Sequence, residues 1–291
     1  MDRMNITIDE RGAGLSPTAF FAGFGIAKSK IRRIIDRGLF RVNGIAYGPD
    51  RQLVCGDVVA IDLQPFEGLD FLPDDGDLAI LYEDESVLVI DKPSGLIIHP
   101  DNKSGRGTLV NRIAAHFVRE GLDRKVGYLH RLDRETTGCL LIAKHFLAHA
   151  KLATAWDHEN VTRSYLALVS GRFREDEGTI SLALGRDRHV AGRYRVSVSG
   201  EPAVTRFRVL RHFDGYDLVS LVLLTGKTHQ IRVHMSHLGH PLLGDVLYGG
   251  PVDRISRVAL HSETILFPHP ITGKTLTVSA PVPTDIARLI A

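Results

Sequence analysis

The sequence predicts an α+β fold made of a small N-terminal α/β domain and a larger domain with a mixed, mostly antiparallel sheet and flanking helices. Three observations lead to this prediction. A basic amphipathic helix and two short strands lie within residues 16–64. Residues 65–77 contain two prolines and a cluster of acids without periodicity, which is typical of a linker. From residue 78 onward, short apolar segments alternate with turn signals, which indicates strands.

These boundaries divide the 291 residues into a small domain at 1–64, with its core at 16–64, a linker at 65–77 and a larger domain at 78–291. Hydrophobic residues make up 44% and charged residues 24%, which is ordinary for a globular protein with a sizeable core. The net charge of +2 is too small to indicate a nucleic-acid partner by itself.

Cysteine usage and hydropathy indicate the compartment. Cys55 and Cys139 show neither a disulfide framework nor metal-ligand spacing, which fits a reducing environment. No apolar run approaches the roughly 20 residues that a membrane span needs, and the polar N-terminus resembles no signal peptide. We therefore expect a soluble cytoplasmic protein, a monomer by default. No glycine-rich phosphate loop or dinucleotide fingerprint is found, so no nucleotide cofactor is expected.

The small domain begins with a helix predicted at residues 26–37, where isoleucines recur at helical spacing and Gly38 ends the helix. Strands are predicted at 40–42 and 58–63, and Asn43-Gly44 is a strong turn signal. Five cations lie along the helix: Lys28, Lys30, Arg32, Arg33 and Arg37. Charge alone describes a solvated helix face at least as well as an RNA-binding face.

The larger domain is predicted to contain a hairpin, several further strands and two helices. The hairpin joins residues 78–82 and 87–90, and Asp214-Gly215 marks a second hairpin. The other strands are predicted at 139–143, 165–169, 203–210 and 216–224. The helices are predicted at 146–156 and 228–238, the second with Thr228 as its N-cap and Gly239 after its end.

The loop at residues 127–138 is the most unusual segment of the chain. It joins two apolar strands, yet it contains five charged or titratable side chains between His130 and Glu135. Catalytic groups are often found on loops that strands hold in place. From composition alone, a catalytic loop and a solvated turn capped by Asp133 are equally good interpretations.

A second cluster lies at residues 225–234, where Gly226 and Thr228 place amides and cations at the start of a helix, a natural position for an anion. Arg232 lies beside the apolar face of this helix, and a partly buried arginine requires a carboxylate partner. A metal site could be imagined from His229, His234, His237 and His240, but no carboxylate repeats with them and the HExxH pattern is absent.

The loop sequence HRLDRETTG at 130–138 resembles the catalytic signature of the RluA family of pseudouridine synthases. Further matches follow in the family's order along residues 78–284. They are the DKPSG turn at 91–95, the strand around Tyr165, the segment GKTHQIRVH at 226–234, and shorter matches at 238–241, 244–249, 260–261, 269–270 and 280–281. Residues 16–64 resemble the small RNA-binding domain named after small-subunit ribosomal protein S-four, which commonly precedes the catalytic domain in larger enzymes of this family.

The resemblance implies a pseudouridine synthase fold with a central active-site cleft, and an enzyme that isomerises uridine in structured RNA without a cofactor. It implies large-subunit ribosomal RNA as the favoured substrate and transfer RNA as a second possibility. The implied catalytic residues are Asp133, Tyr165 and Arg232. The implied substrate contacts are His130, Arg131, Thr137, Lys227, Thr228, His229, Gln230 and Leu260. The five cations of the N-terminal helix become expected phosphate contacts.

Within this family Asp133 would attack the anomeric carbon or remove a sugar proton, and Arg232 would be its ion-pair partner. Tyr165 would stack on the target base, Arg131 would fill the space that the flipped base leaves, and Leu260 would form an apolar wall. Two departures concern substrate contacts: Arg163 replaces a common lysine, and Lys227 replaces a common arginine. The alternatives are a non-catalytic RNA-binding or ribosome-assembly protein on this fold, and a hydrolase or metal enzyme built on the histidines.

Overall fold

Residues 2–49 and 51–62 form a four-stranded antiparallel sheet covered by two helices. In the computed structural model, which describes residues 2–49, 51–99 and 105–291, the strands of this sheet lie in the order β1-β4-β2-β3. Its elements are β1 (Arg3–Thr7), α1 (Pro17–Ala22), α2 (Lys28–Asp36), β2 (Phe40–Val42), β3 (Ile45–Ala46) and β4 (Val58–Asp62).

Strand β1 lies ahead of the core predicted at 16–64 and was not predicted. Its residues pair with β4 from Arg3 opposite Asp62 to Thr7 opposite Val58. Met4 and Ile6 point inward and join the buried core beneath the two helices, while the residues between them are exposed. The amino-terminal segment is therefore part of the small domain's sheet. Helix α2 is shorter than predicted and begins at Lys28 rather than at residue 26.

The acidic segment at 65–77 is fastened to the larger domain by its own side chains. The Glu67 carboxylate accepts hydrogen bonds from the backbone N–H groups of Phe146 (2.7 Å) and Lys125 (3.2 Å). Asp70 accepts one from the N–H of Val126 at 3.1 Å. Glu67 and Asp70 therefore fix the chain's path between the two domains, because each accepts hydrogen bonds from the backbone of the larger domain.

The larger domain is built on a ten-stranded sheet whose main path runs β10-β13-β14-β9-β15-β8-β6-β5, with β16 paired to β15 and β7 to β8. All pairs are antiparallel except a short parallel contact between β15 and β8, which confirms the mixed, mostly antiparallel prediction. The strands are β5 (Ile80–Glu83), β6 (Val87–Lys92), β7 (Gly127–Tyr128), β8 (Thr137–Ala143), β9 (Thr162–Ser170), β10 (Glu177–Ser181), β13 (Val204–Phe213), β14 (Tyr216–Leu223), β15 (Leu260–Pro268) and β16 (Thr275–Ser279); β11 (Leu184–Arg186) and β12 (Tyr194–Val196) form a separate hairpin.

Four α-helices accompany this sheet: α3 (Leu109–Arg119), α4 (Phe146–Asp157), α5 (Gln230–His237) and α6 (Thr284–Ile290). Helices α3 and α6 were not predicted. Helix α5 begins two residues later than expected, so Thr228 is not its N-cap. His229 occupies that position in the left-handed conformation (φ 58°) and its side chain makes no capping bond.

The two faces of the sheet carry different helices. Helices α3 and α5 pack on the face that includes Tyr165 and Ala167 of β9, and α4 packs on the opposite face against β8 and β15. Helix α4 also contacts the small domain, because Leu147 enters that domain's core and the rings of Phe146 and Phe66 lie 5.1 Å apart. None of the helices in the described part of the chain is long and apolar enough to cross a membrane.

Candidate active site

A cavity of about 630 Å³ opens over the end of β9 where that strand meets the loop between β7 and β8. Three segments provide most of its wall: residues 128–134 of the loop, Arg163 and Tyr165 of β9, and residues 226–229 ahead of α5. The two sequence clusters with unusual chemistry, at 127–138 and 225–234, therefore face one another across a single cavity.

Asp133 lies on the loop with its side chain about 30% exposed to the cavity. One carboxylate oxygen, Oδ2, accepts a hydrogen bond from Nη1 of Arg232 at 3.0 Å. The same oxygen lies 3.7 Å from Nε2 of His229. The backbone carbonyl of Asp133 also accepts from the N–H of Thr136 at 3.1 Å, which closes a turn. The carboxylate is thus oriented by α5 and its own loop, yet it remains open to a ligand.

Arg232 is itself held by a second carboxylate. Its Nε and Nη2 donate to the two oxygens of Asp245 at 2.7 and 2.8 Å, and the Asp245 side chain is wholly buried. Burial disfavours the charged guanidinium, but the hydrogen bonds and charge of Asp245, followed by the charge of Asp133, raise the pKa of Arg232 above its usual range. Asp245 therefore fixes the cation that holds Asp133. The sequence predicted one carboxylate partner for Arg232, namely Asp133, and did not identify Asp245 as a second one.

Tyr165 is 3% exposed and lies on β9 with its side chain in the cavity wall. Burial raises the pKa of its phenol, so the hydroxyl stays protonated at neutral pH. Leu260 lies on the neighbouring strand β15, opposite Ala167 in the ladder, and is buried beside the site rather than in the cavity wall.

His130 and Arg131 both lie on the cavity wall, but only Arg131 is exposed. Nε2 of the His130 ring accepts a hydrogen bond from the N–H of Leu141 at 3.0 Å, and the ring lies 5.1 Å from that of Trp156. Burial, and then the charge of Arg163, lowers the pKa of His130 to about 3, so the imidazole is neutral. His130 is well placed to hold the loop against β8, while Arg131 is free to reach outward.

Lys227, Thr228 and His229 line the opposite side of the cavity. The ammonium of Lys227 forms a short ion pair with Glu201, and the substrate contact that the resemblance implies for Lys227 stays a prediction. Nδ1 of His229 forms a hydrogen bond of 2.9 Å with the hydroxyl of Tyr248. The other ring nitrogen, Nε2, faces Asp133.

Thr137 and Gln230 lie outside the cavity wall, and internal contacts occupy their polar atoms. The hydroxyl of Thr137 lies 2.9 Å from Nδ1 of His261. The Gln230 carbonyl accepts from the N–H of Lys227 (3.0 Å), and its amide nitrogen donates to the carbonyl of Val204 (3.0 Å). These two side chains support the cavity from behind, which differs from the substrate contact expected of them.

The five cations that the sequence placed on the N-terminal helix divide into two groups, and Arg37 is the C-cap that follows α2. Four of them, Lys28, Arg32, Arg33 and Arg37, are exposed, and Arg32 pairs with Asp36 at 3.4 Å. Lys30 instead faces the larger domain. Its Nζ lies 3.7 Å from the centre of the Phe146 ring, and burial lowers the pKa of its ammonium. Arg33 approaches the Phe66 ring at 5.4 Å. Lys30 therefore belongs to the contact between the domains.

Lys92 is a further residue that sequence reasoning did not single out. It is fully buried at the end of β6, and its Nζ donates to the backbone carbonyls of Pro93 and Arg134, each at 2.9 Å. Burial, partly offset by the charge of Asp133, lowers the pKa of Lys92 to about 8. The signal was a lysine that ends an apolar strand immediately before Pro-Ser-Gly. Lys92 ties the turn at 93–95 to the loop that carries Asp133.

The histidines proposed as an alternative metal site bond to different groups. His234 contacts the Thr205 hydroxyl at 2.9 Å and the Leu182 carbonyl at 3.0 Å, and His240 contacts the Ser170 carbonyl at 2.9 Å. Among residues 2–49, 51–99 and 105–291, no group of three or more His, Cys, Asp or Glu side chains is arranged to bind a metal ion.

Comparison with known proteins places this geometry in a family. Residues 86–237 match the family described as RNA pseudouridylate synthase. An uncharacterized RNA pseudouridine synthase of Bacillus subtilis, YhcT, is 44% identical over 80% of this chain and 78% of its own length. Ribosomal large subunit pseudouridine synthase D of Vibrio vulnificus is 36% identical over 92% of this chain and 86% of its own length.

A solved structure of a pseudouridylate synthase domain protein is also similar to this chain. Human RNA pseudouridylate synthase domain containing 1 is 31% identical, with a TM-score of 0.59 over 72% of this chain and 86% of that one. The family match spans the loop of Asp133, the strand of Tyr165 and the whole of α5. The chain therefore belongs to the RluA-type family of RNA pseudouridylate synthases and is an RNA pseudouridine synthase.

Proposed function

We propose that this enzyme converts uridines of large-subunit ribosomal RNA to pseudouridine with Asp133 as the reacting carboxylate and without a cofactor. The observation that carries the proposal is the placement of Asp133, partly open to the cavity, beside Tyr165 and 3.0 Å from the anchored guanidinium of Arg232. The ribosomal substrate is supported by the relatives named ribosomal large subunit pseudouridine synthase D, whose similarity extends over 92% of this chain.

The reaction is an isomerisation, so all atoms and electrons of the uridine remain in the product. The N1–C1′ bond breaks and its electron pair leaves with the uracil. The base then turns, the C5–C1′ bond forms, C5 loses its proton and N1 gains one. No oxidant, reductant or water is consumed, which is why the proposal includes no cofactor. Asp133 takes part in one of two ways. As the nucleophile it forms an ester bond to C1′, which breaks when C5 attacks C1′. As the base it takes the C2′ proton when the N1–C1′ bond breaks and returns it when the C5–C1′ bond forms.

The other cavity residues have separate roles in this proposal. The target base has to leave its stack, which costs a few kcal/mol, and Tyr165 provides an aromatic face for it. Arg131 is exposed at the cavity and is placed to enter the space that the base leaves. The ammonium of Lys227 has three N–H donors, so it can contact a phosphate beside its exposed ion pair with Glu201 or in place of it. The exposed cations Lys28 and Arg37 give salt-dependent contacts to the RNA backbone.

The test is pseudouridine mapping of ribosomal and transfer RNA, by carbodiimide labelling and primer extension, in cells with the gene intact, deleted or carrying Asp133→Asn. We expect the same large-subunit sites to be missing from the deletion and the Asp133→Asn strains. Asp214→Asn, a change at the exposed tip of the β13–β14 hairpin, serves as the matched control and should keep them.

Three other results would contradict the proposal. Sites retained by Asp133→Asn but lost in the deletion would refute the catalytic assignment. Sites lost only from transfer RNA would refute the ribosomal substrate. Purified enzyme that loses activity on dialysis with a chelator, and recovers it with a divalent ion, would refute the cofactor-free reaction. Asp133→Asn protein should still bind the RNA in a filter assay, since the RNA contacts are elsewhere.

A further inference from the structure

Arg163 is a buried cation without a carboxylate partner. Four arginines are less than 10% exposed in the described part of the chain. Three of them form two hydrogen bonds each with one carboxylate: Arg124 with Asp2, Arg232 with Asp245 and Arg257 with Asp285. Arg163 is 7% exposed, and no described carboxylate lies within ion-pair distance of it.

The contacts that Arg163 does make are weak. Its Nη2 donates to the carbonyl of Thr225 at 3.4 Å, and its Nε has no hydrogen-bond partner among the described residues. Burial lowers the pKa of this guanidinium. A buried charge is costly unless a counter-charge or several hydrogen bonds compensate for it, so evolution rarely keeps one without a use. A guanidinium in this position has unused hydrogen-bond donors that an anion of the substrate could accept from.

The surroundings hold the guanidinium in place while leaving room beside it. Its central carbon lies 4.8 Å from the centre of the Trp156 ring, a cation–π contact that orients the planar group. On another side, a Cβ at Gly226 would lie 2.9 Å from Nη1 of Arg163. The φ angle of Gly226 is not in the left-handed region, so the requirement for glycine here is one of space.

Arg163 faces the reacting centre. It precedes Tyr165 by two residues on β9, and side chains two residues apart on a strand point to the same face. Both line the cavity that contains Asp133, and the charge of Arg163 acts on the Tyr165 phenol. Arg163 also lines an adjoining cavity of about 420 Å³. An anion bound by Arg163 would therefore lie close to the tyrosine expected to stack on the target base.

We propose that Arg163 is a further catalytic residue, which stabilises the uracil anion after the N1–C1′ bond breaks. Whether Asp133 attacks C1′ or removes the C2′ proton, the departing uracil takes the bonding electron pair, and its O2 and O4 share the negative charge. The guanidinium donates to one of these oxygens while the ring turns. The anion is neutral again once C5 has bonded to C1′, lost its proton, and N1 has been protonated.

A phosphate is a poorer fit for this position. Arg163 is 7% exposed and lies in the wall of the cavity that would receive the flipped base, whereas the phosphates of the RNA would remain at the cavity's mouth. A preorganised donor in a site that excludes water favours a charge that develops during the reaction, and such a donor acts mainly on kcat. A phosphate contact would be present before and during the reaction alike, and it would act mainly on KM.

The inference rests on the proposed chemistry at Asp133, and its test is designed so that the two can fail separately. Purified wild type, Arg163→Met, Arg163→Lys and Asp133→Asn are compared for release of tritium from C5 of uridine, with labelled RNA from cells that lack the gene. Arg163→Met should lower kcat by about 100-fold and leave the apparent KM within about twofold. Arg163→Lys keeps the charge and should stay within about tenfold of wild type.

Thermal unfolding distinguishes a catalytic role of Arg163 from a purely structural one, because loss of a structural contact would lower the Tm. Methionine relieves an unpaired buried charge, so the Tm of Arg163→Met should equal or exceed that of the wild type. Arg257→Met is the matched control for stability, because it leaves the Asp285 carboxylate without its partner and should lower the Tm. The combination of a lower kcat and an undiminished Tm is the signature that we expect.

Several results would overturn the inference. Wild-type kcat in Arg163→Met would remove Arg163 from the reaction, and a raised KM with unchanged kcat would make it a phosphate contact. Equal loss of activity in both variants, together with a lower Tm, would mean that Arg163 is needed for packing on Trp156. Activity in Asp133→Asn would instead refute the proposed chemistry, while the comparison of the two Arg163 variants would still be readable.

Discussion

Asp245→Asn tests whether the reactivity of Asp133 depends on a residue that never touches the substrate. Asp245 is wholly buried and grips Arg232 with hydrogen bonds of 2.7 and 2.8 Å, while the same guanidinium reaches Asp133 at 3.0 Å. Asparagine keeps the shape of the side chain but removes its charge and one of its two acceptors. We expect both lower stability and slower catalysis.

The magnitudes follow from the contacts. Removing one partner of a buried ion pair costs about 3–5 kcal/mol when the other charge is left uncompensated. Asp133 still faces Arg232, and the asparagine carbonyl still accepts one hydrogen bond. We therefore expect the free energy of unfolding to fall by about 3 kcal/mol, at the lower end of that range. Arg232 is then free to shift toward Asp133, and a displacement near 1 Å costs about 100-fold in kcat.

Urea unfolding and tritium release measure the two effects separately. The matched control is Asp217→Asn, because Asp217 is also wholly buried and accepts hydrogen bonds from His212 and the N–H of Phe173, but it lies opposite Val169 at the far end of β9. Asp217→Asn should lose stability and keep kcat. If Asp245→Asn loses stability but keeps the wild-type kcat, Arg232 does not need its second carboxylate and the reasoning is refuted.

Three further predictions follow from single contacts. Gly226→Ala would place a Cβ 2.9 Å from Nη1 of Arg163, so kcat should fall about tenfold without a change in circular dichroism; an unchanged kcat would contradict the space argument. Lys92 binds its proton less tightly when folded, with a pKa of about 8 against an ordinary 10.5. The unfolded chain therefore holds more protons than the folded chain between pH 8 and 10.5, so the free energy of unfolding should rise with pH in this window. Relative to Lys92→Met, the rise for the wild type should be about 3 kcal/mol, which urea unfolding at several pH values measures. Phe146→Ala removes the ring beneath Lys30, so the small domain should lose about 2 kcal/mol of stability and unfold in a separate calorimetric transition at lower temperature. A single unchanged cooperative transition would contradict this role of Phe146.

Local patterns predicted most of the strands that carry the site, but two patterns that were present in the sequence were overlooked. Met4 and Ile6 alternate with exposed residues in β1, which is the period of a strand, yet the surrounding polar residues hid it. Helix α3 has apolar residues at helical spacing from Leu109 to Phe117, and Thr108 and Asn111 form a capping box. Short amphipathic segments of this kind acquire their stability from the core they cover, so their propensity alone is a weak signal.

The pairing around Arg232 shows what sequence reasoning could not supply. The need for a carboxylate followed from a helix arginine beside an apolar face. The identity of Asp245 did not, because it is fixed by the path of the chain between α5 and a short 3₁₀ helix at Val246–Tyr248. The capping prediction at Thr228 failed for a related reason. His229 adopts the left-handed conformation, and its ring contacts Tyr248 and faces Asp133, residues that lie far from it in sequence and that a local capping pattern does not include.

The two buried arginines of the cavity differ in their partners: Arg232 pairs with carboxylates and Arg163 does not. Asp133 and Asp245 both accept hydrogen bonds from Arg232, and the charge of Lys92 also acts on Asp133, so the carboxylate proposed to act on the sugar is held by neighbouring cations. Arg163, across the same cavity, has no carboxylate at all. The proposed reaction separates charge, with a positive sugar centre next to Asp133 and a negative base next to Arg163. A site whose own charges are separated in the complementary sense stabilises that state more than the neutral uridine, which is the condition for catalysis rather than mere binding.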